Sequence, residues 1–201
     1  MSKELELARE LVKQLEEAER ANRVQLSELD PGDVFKIGEN DFIVLEHNYD
    51  TTTVISKGFM AENVVFDEDT RDYNKSNLKK VIEKCIQPVI ESEVGVENLV
   101  EYDNSLLSVD NQKEFEPCRA KVMPPNFGLV IRFNNLIVNK DLDDWWWTCT
   151  PWSTADRGLK YSMSVVSPSG NFNCNICNYV RGGVRPVCIL KSNIFVSKGD
   201  K

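Results

Sequence analysis

The chain has 201 residues, 41% of them hydrophobic and 28% charged, with a formal net charge of −8. That length suffices for one domain with a real core, which buries roughly 70% of the surface its unfolded chain exposes. The composition excludes a disordered or fibrous chain, and the acidic balance excludes non-specific nucleic-acid binding, whose affinity comes from clustered Lys and Arg.

No run approaches the ~18 apolar residues of a membrane span, and Ser2, Lys3 and Glu4 do not lead into an apolar signal. Synthesis in the cytoplasm is expected. Six cysteines (Cys85, Cys118, Cys149, Cys174, Cys177 and Cys188) then read as reduced thiols, mostly small buried apolar residues.

Glu4 to Arg23 lacks Gly and Pro and is rich in strong helix formers. Leu5, Ala8, Val12 and Leu15, widened by Leu11 and Ala18, make an apolar stripe along this helix. The stripe fits packing on its own domain or homo-oligomerisation through residues 4–23 equally well. The organisation expected is an amphipathic helix over 1–25 and a single α+β domain over 26–201, because Pro31 and Gly32 in SELDPGD break the helix.

Val34 to Ile37, a turn at Gly38 to Asp41 and Phe42 to Glu46 read as a hairpin, followed by a β-branched strand at Thr51 to Ser56. From Asn74 to Glu91, Leu78, Val81, Ile82, Cys85, Ile86, Val89 and Ile90 recur at helical spacing, with Pro88 set to kink the end. Val96 to Gly128 carries no clear pattern. The last third reads as four strands, Trp145 to Thr150, Lys160 to Val166, Asn171 to Cys177 and Val184 to Leu190.

On the first of these strands Trp145 and Trp147 share one face and Trp146 takes the other, so both faces must be covered or functional. Trp145 and Trp147 are assigned to structure, and Trp152, beyond Pro151, to a contact surface. Cys174 and Cys177 have metal-like spacing, but no second pair accompanies them and the one histidine, His47, is remote. Asp141, Asp143 and Asp144 lack the Gly and distal Glu of a calcium loop, and Arg181-Gly182-Gly183 lacks the spacing of a phosphate loop. No metal, cofactor or catalytic residue is therefore expected.

The aromatic segment WTCTPWS (Trp147 to Ser153), the closing GGVRPVCIL (Gly182 to Leu190) and the opening ELDPGDVFKIGENDFIVLE (Glu28 to Glu46) resemble a family of domains of unknown function from Gram-positive bacteria and their phages. The likeness spans roughly Leu26 to Val196. More distantly, the order of a Trp-rich strand, variable polar strands and a Gly-x-Arg closing strand is similar to C-type-lectin-like and formylglycine-generating-enzyme-like domains. That resemblance implies a compact α+β fold with irregular antiparallel sheets, a buried structural Arg185 paired with an acidic residue, and a ligand surface in loops near Phe172 to Tyr179. Calcium, sugar-binding and active-cysteine signatures of those families are absent here, so only the scaffold carries over.

The function expected is a non-catalytic recognition module of phage or prophage origin, working in the virion or the host-cell cytoplasm. It would bind a protein or glycan through Trp152, Asn171, Phe172, Asn173, Asn175, Asn178 and Tyr179, residue types that supply adaptable contacts. The competing expectation is an acidic intracellular inhibitor of a host protein, working through the −8 charge. A third is an enzyme whose site is assembled from distant carboxylates.

Overall fold

A computed structural model of the chain describes residues 3–21 and 23–199, with the backbone alone at 3, 4 and 15–21. In chain order the elements are α1 (Lys3–Ala21), β1 (Arg23–Gln25), β2 (Val34–Ile37), β3 (Asn40–Asn48), β4 (Thr51–Ser56), β5 (Ala61–Val64), α2 (Asn77–Val81), a π-helical segment (Ile82–Ile86) and α3 (Gln87–Val94). There follow β6 (Leu99–Val100), β7 (Tyr102–Asn104), β8 (Cys118–Ala120), β9 (Val122–Met123), α4 (Phe127–Arg132), α5 (Asn134–Ile137) and β10 (Trp146–Pro151). The chain ends with β11 (Ser162–Val166), β12 (Phe172–Ile176), β13 (Gly182–Val184), β14 (Val187–Lys191) and β15 (Phe195–Lys198).

This is an α+β fold with an N-terminal helix and mostly antiparallel sheets, one of them curled into a half-barrel. The large sheet runs β1-β15-β2-β3-β4-β14-β6, with β9 also pairing to β14. A second sheet runs β12-β11-β10-β13-β5, in which only β10 and β13 are parallel, and β7 pairs with β8. The body takes in Arg23–Gln25, which pair with Phe195–Ser197, so it begins three residues ahead of the boundary read at Leu26.

Two hydrophobic cores lie on opposite faces of the large sheet, and strand periodicity sorts the side chains between them. Phe42 and Val44 of β3 enter the first core with Leu78, Ile82, Ile86 and Ile90 of the helical run, while Ile43 and Leu45 enter the second with Val130, Phe133 and Ile137. The adjacent tryptophans repeat this division. Trp147 is buried in the first core, where half-buried Trp145 packs, and Trp146 is buried in the second. The face assignment read from the sequence holds.

The helix read over Asn74 to Glu91 is α2, the π segment and α3 in succession. Pro88 has no N–H to donate and its ring crowds the carbonyl four residues back. A wider i→i+5 turn relieves both conflicts, and the π segment stands immediately before the proline's helix. The residues that reach the core, Leu78, Ile82, Ile86 and Ile90, are spaced at four, while Cys85 and Val89 of the predicted stripe are exposed.

The strand expected at Val184 to Leu190 is two strands in different sheets, parted at Arg185-Pro186. β13 can lie against the cores only because its first two residues are glycine. A Cβ on Gly182 would fall 1.8 Å from Trp147 Nε1, and one on Gly183 would fall 2.4 Å from the Phe59 ring.

Candidate recognition surface

Of the seven residues expected to touch a ligand, Phe172, Asn173 and Asn175 lie on β12 and Asn171 and Asn178 flank it. The segment forms an edge strand, not a loop, and the far side of β12 has no neighbour among the described residues. Tyr179 turns inward instead, meeting Trp147 edge-on with ring centroids 6.5 Å apart. Trp152 is half-buried beside β11, its amide donating to the Ser162 carbonyl at 2.9 Å.

Large exposed apolar side chains that no local sequence pattern marks also lie here. Tyr161 (47% exposed), Ile176 (53%) and Val180 (61%) join Phe172 (36%) along β12 and its flanks. Ser162 of β11 stands opposite Ile176, Cys177 N–H donates to the Tyr161 carbonyl, and Phe172 packs edge-on against Phe127 at 4.9 Å. Isolated exposed apolar residues need no explanation, but several along one open strand make it a candidate interaction site. Cys174 is half-buried on the strand while Cys177 sinks into the first core, so the C-x-x-C spacing does not converge.

The TPWS segment is held by a polar network that the sequence did not reveal. Buried Arg71 donates from Nη2 to both carboxylate oxygens of Glu114, at 3.0 and 2.8 Å, and from Nη1 to the Ser153 carbonyl. Asp110 accepts from the hydroxyls of Ser108 and Ser153 and from Arg157. The Ser108 and Ser153 hydrogen bonds, with Arg157, hold the Asp110 carboxyl down at about 2. Ser153 lies 43 positions from Asp110 and 82 from Arg71, and Arg71 lies 43 from Glu114, too distant for any local pattern.

Arg185 is fully buried, as the resemblance implied, but among the described residues no carboxylate accompanies it. Nε donates to the Ser56 carbonyl at 2.9 Å and Nη1 to the Ile137 carbonyl at 2.6 Å, and the guanidinium lies over Trp146. Backbone carbonyls and an aromatic face replace the expected acidic partner. Burial lowers its pKa to about 10, which leaves it charged at neutral pH.

His47 has both ring nitrogens engaged. The Leu29 carbonyl can only accept, so Nε2 carries a proton and donates at 2.7 Å, while Nδ1 is hydrogen-bonded to the Thr52 hydroxyl at 2.9 Å. Burial pushes the thiols of Cys149 and Cys188 upward, the latter to about 12, so these cysteines are packing groups rather than nucleophiles. Among the described residues no three His, Cys, Asp or Glu are grouped to hold a metal, and no helix is long and apolar enough to cross a membrane. A cleft of about 820 Å³ opens where β15 parts from β2, between Arg23, Glu39, Glu93 and Phe195, and none of the expected ligand residues lines it.

No family model, curated protein or solved structure matches the chain.

Proposed function

We propose that this chain is a non-catalytic recognition module, of phage or prophage origin, that binds a protein or glycan through the β12 edge of its five-stranded sheet. The observation that carries this reading is the exposure of Phe172, Ile176 and Val180 along that strand and just beyond it, with Tyr161 exposed at the neighbouring end of β11. The backbone of this strand is already paired to β11, so little backbone ordering opposes binding. The C-type-lectin-like scaffold belongs to the same reading and rests on the order of the Trp-rich and GGVRP motifs. α1 serves to gather copies, since Leu7, Leu11 and Val12 are exposed on it, and linked copies gain avidity without new contacts.

The test is a comparison of wild type with I176D and with Y161D in capture from host lysate and on a glycan panel, at low and high salt. Loss of the same ligand by at least ten-fold in both variants, with unchanged near-UV circular dichroism, supports the surface. Retention of that ligand by both variants removes it. A ligand released by salt but retained by both variants favours the acidic-inhibitor reading, in which the −8 charge is the contact.

A further inference from the structure

The hydrogen-bond parity of β12 follows from its two ends. Ser167 N–H donates to the Asn171 carbonyl and Cys177 N–H donates to the Tyr161 carbonyl, with the strand in register between them. In an antiparallel ladder bonded positions alternate. Residues 171, 173, 175 and 177 therefore face β11, and the amides of Phe172, Cys174 and Ile176 face outward. Such a row of outward amides is a template for another strand.

Two of these three amides are already occupied. The Cys174 amide donates to Asn173 Oδ1 at 2.8 Å, and the Ile176 amide to Asn175 Oδ1 at 2.9 Å. Each asparagine folds back over the amide that follows it. Exposed edges are commonly blunted by Lys or Pro, yet Asn171 to Val180 (NFNCNICNYV) contains neither and has no charge at all. An uncharged, exposed strand of this kind is otherwise an aggregation hazard.

We infer that Asn173 and Asn175 close the outer edge of β12 to strand addition. A second copy of the chain cannot extend the sheet there, and a partner meets this surface through side chains. Asparagine does so without placing charge beside Phe172 and Ile176, which keeps the strip apolar. The inference stands on the backbone geometry and not on the identity of any ligand.

The test uses the full chain as wild type, N173A/N175A and N173A/C174P/N175A. In wild type, exchange of the Cys174 and Ile176 amides is expected to be slower than that of the uncapped Phe172 amide once intrinsic rates are divided out. In N173A/N175A the two amides exchange about ten-fold faster in dilute solution, the equivalent of one hydrogen bond. Sedimentation of the double variant shows concentration-dependent association beyond that of wild type. The proline, which removes an outward N–H, returns association to the wild-type level. Wild-type exchange at 174 and 176 as fast as at 172 overturns the inference, as does unchanged exchange in the double variant. Absence of added association, or association that survives the proline, overturns it equally.

Discussion

The guanidinium carbon of Arg185 lies 5.1 Å from the Trp146 ring centroid, and the same side chain joins the carbonyl of Ser56 to that of Ile137. A buried cation thus ties β4 to the end of α5 at the point where the chain passes from β13 to β14.

Truncating this side chain leaves two buried carbonyls without donors as well as a void. R185A is expected to lose roughly 3 kcal/mol of unfolding free energy in urea titration. R185M fills most of the volume and removes a charge without a counter-ion, so its loss should be smaller. A larger loss for R185M than for R185A would contradict this account of the site.

The glycine pair of β13 makes a sharper prediction, because Gly182 and Gly183 differ from Gly58 in what a methyl group meets. G182A drives a Cβ into the Trp147 indole, whose Nε1–H donates to the Val64 carbonyl at 2.7 Å. The expected cost is about 3 kcal/mol or more, from overpacking and the displaced hydrogen bond together. G183A meets Phe59 and costs a comparable amount, whereas G58A meets nothing within 4 Å and should stay within about 0.5 kcal/mol of wild type. Thermal unfolding of the three variants orders them directly.

Much of the fold was legible because local chemistry and final environment agree. Val34–Ile37 and Thr51–Ser56 follow from β-branched and aromatic residues between turn formers, and the opposed faces of Trp146 and Trp147 from period-two alternation. Val96 to Gly128 was not legible, since its strands are two or three residues long and two of them, Leu99–Val100 and Val122–Met123, form only through distant residues of β14. The break at Arg185-Pro186 was hidden for a similar reason: apolar residues continue through it, and only the two sheets reveal that they serve different ladders. At the candidate surface the sequence shows asparagines of a type that contacts ligands, and the structure adds that Oδ1 of Asn173 and of Asn175 accepts from the amide that follows it. The alternation of Asn from 171 to 175 was the available signal, and its meaning depends on knowing which side of β12 is open.

The Asp110 network predicts a particular acid response. Its folded pKa is about 2 against 3.8 for the free side chain, so the stabilisation is complete above pH 3.8 and is lost as pH falls through 2. D110N lacks the titration. The stability difference between wild type and D110N should therefore be constant near neutrality and narrow between pH 4 and pH 2, followed by thermal unfolding. Asp67 titrates in the same direction: desolvation opposes ionisation there, but the amides of Asp69, Thr70 and Asn77 hold the carboxyl below its usual range. Because Asp67 is common to both proteins, it cancels in the difference, and a gap that does not narrow would show that Asp110 is unbonded in solution.

The last prediction concerns α1, a helix of 19 residues with Leu7 75%, Leu11 57% and Val12 53% exposed. A helix of that length without tertiary support is marginal in water, because nucleation costs more than the first hydrogen bonds return. Its helicity should then depend on association. Sedimentation is expected to show oligomers of the full chain that dissociate on dilution, with far-UV helical signal falling over the same concentrations. L11K/V12K places two charges on the apolar face and should remain monomeric, with less helical signal and with the unfolding midpoint of the body unchanged. A wild-type chain that stays monomeric while retaining full helicity would instead mean that i, i+4 pairs along the helix suffice, and the assembly role of α1 would fall.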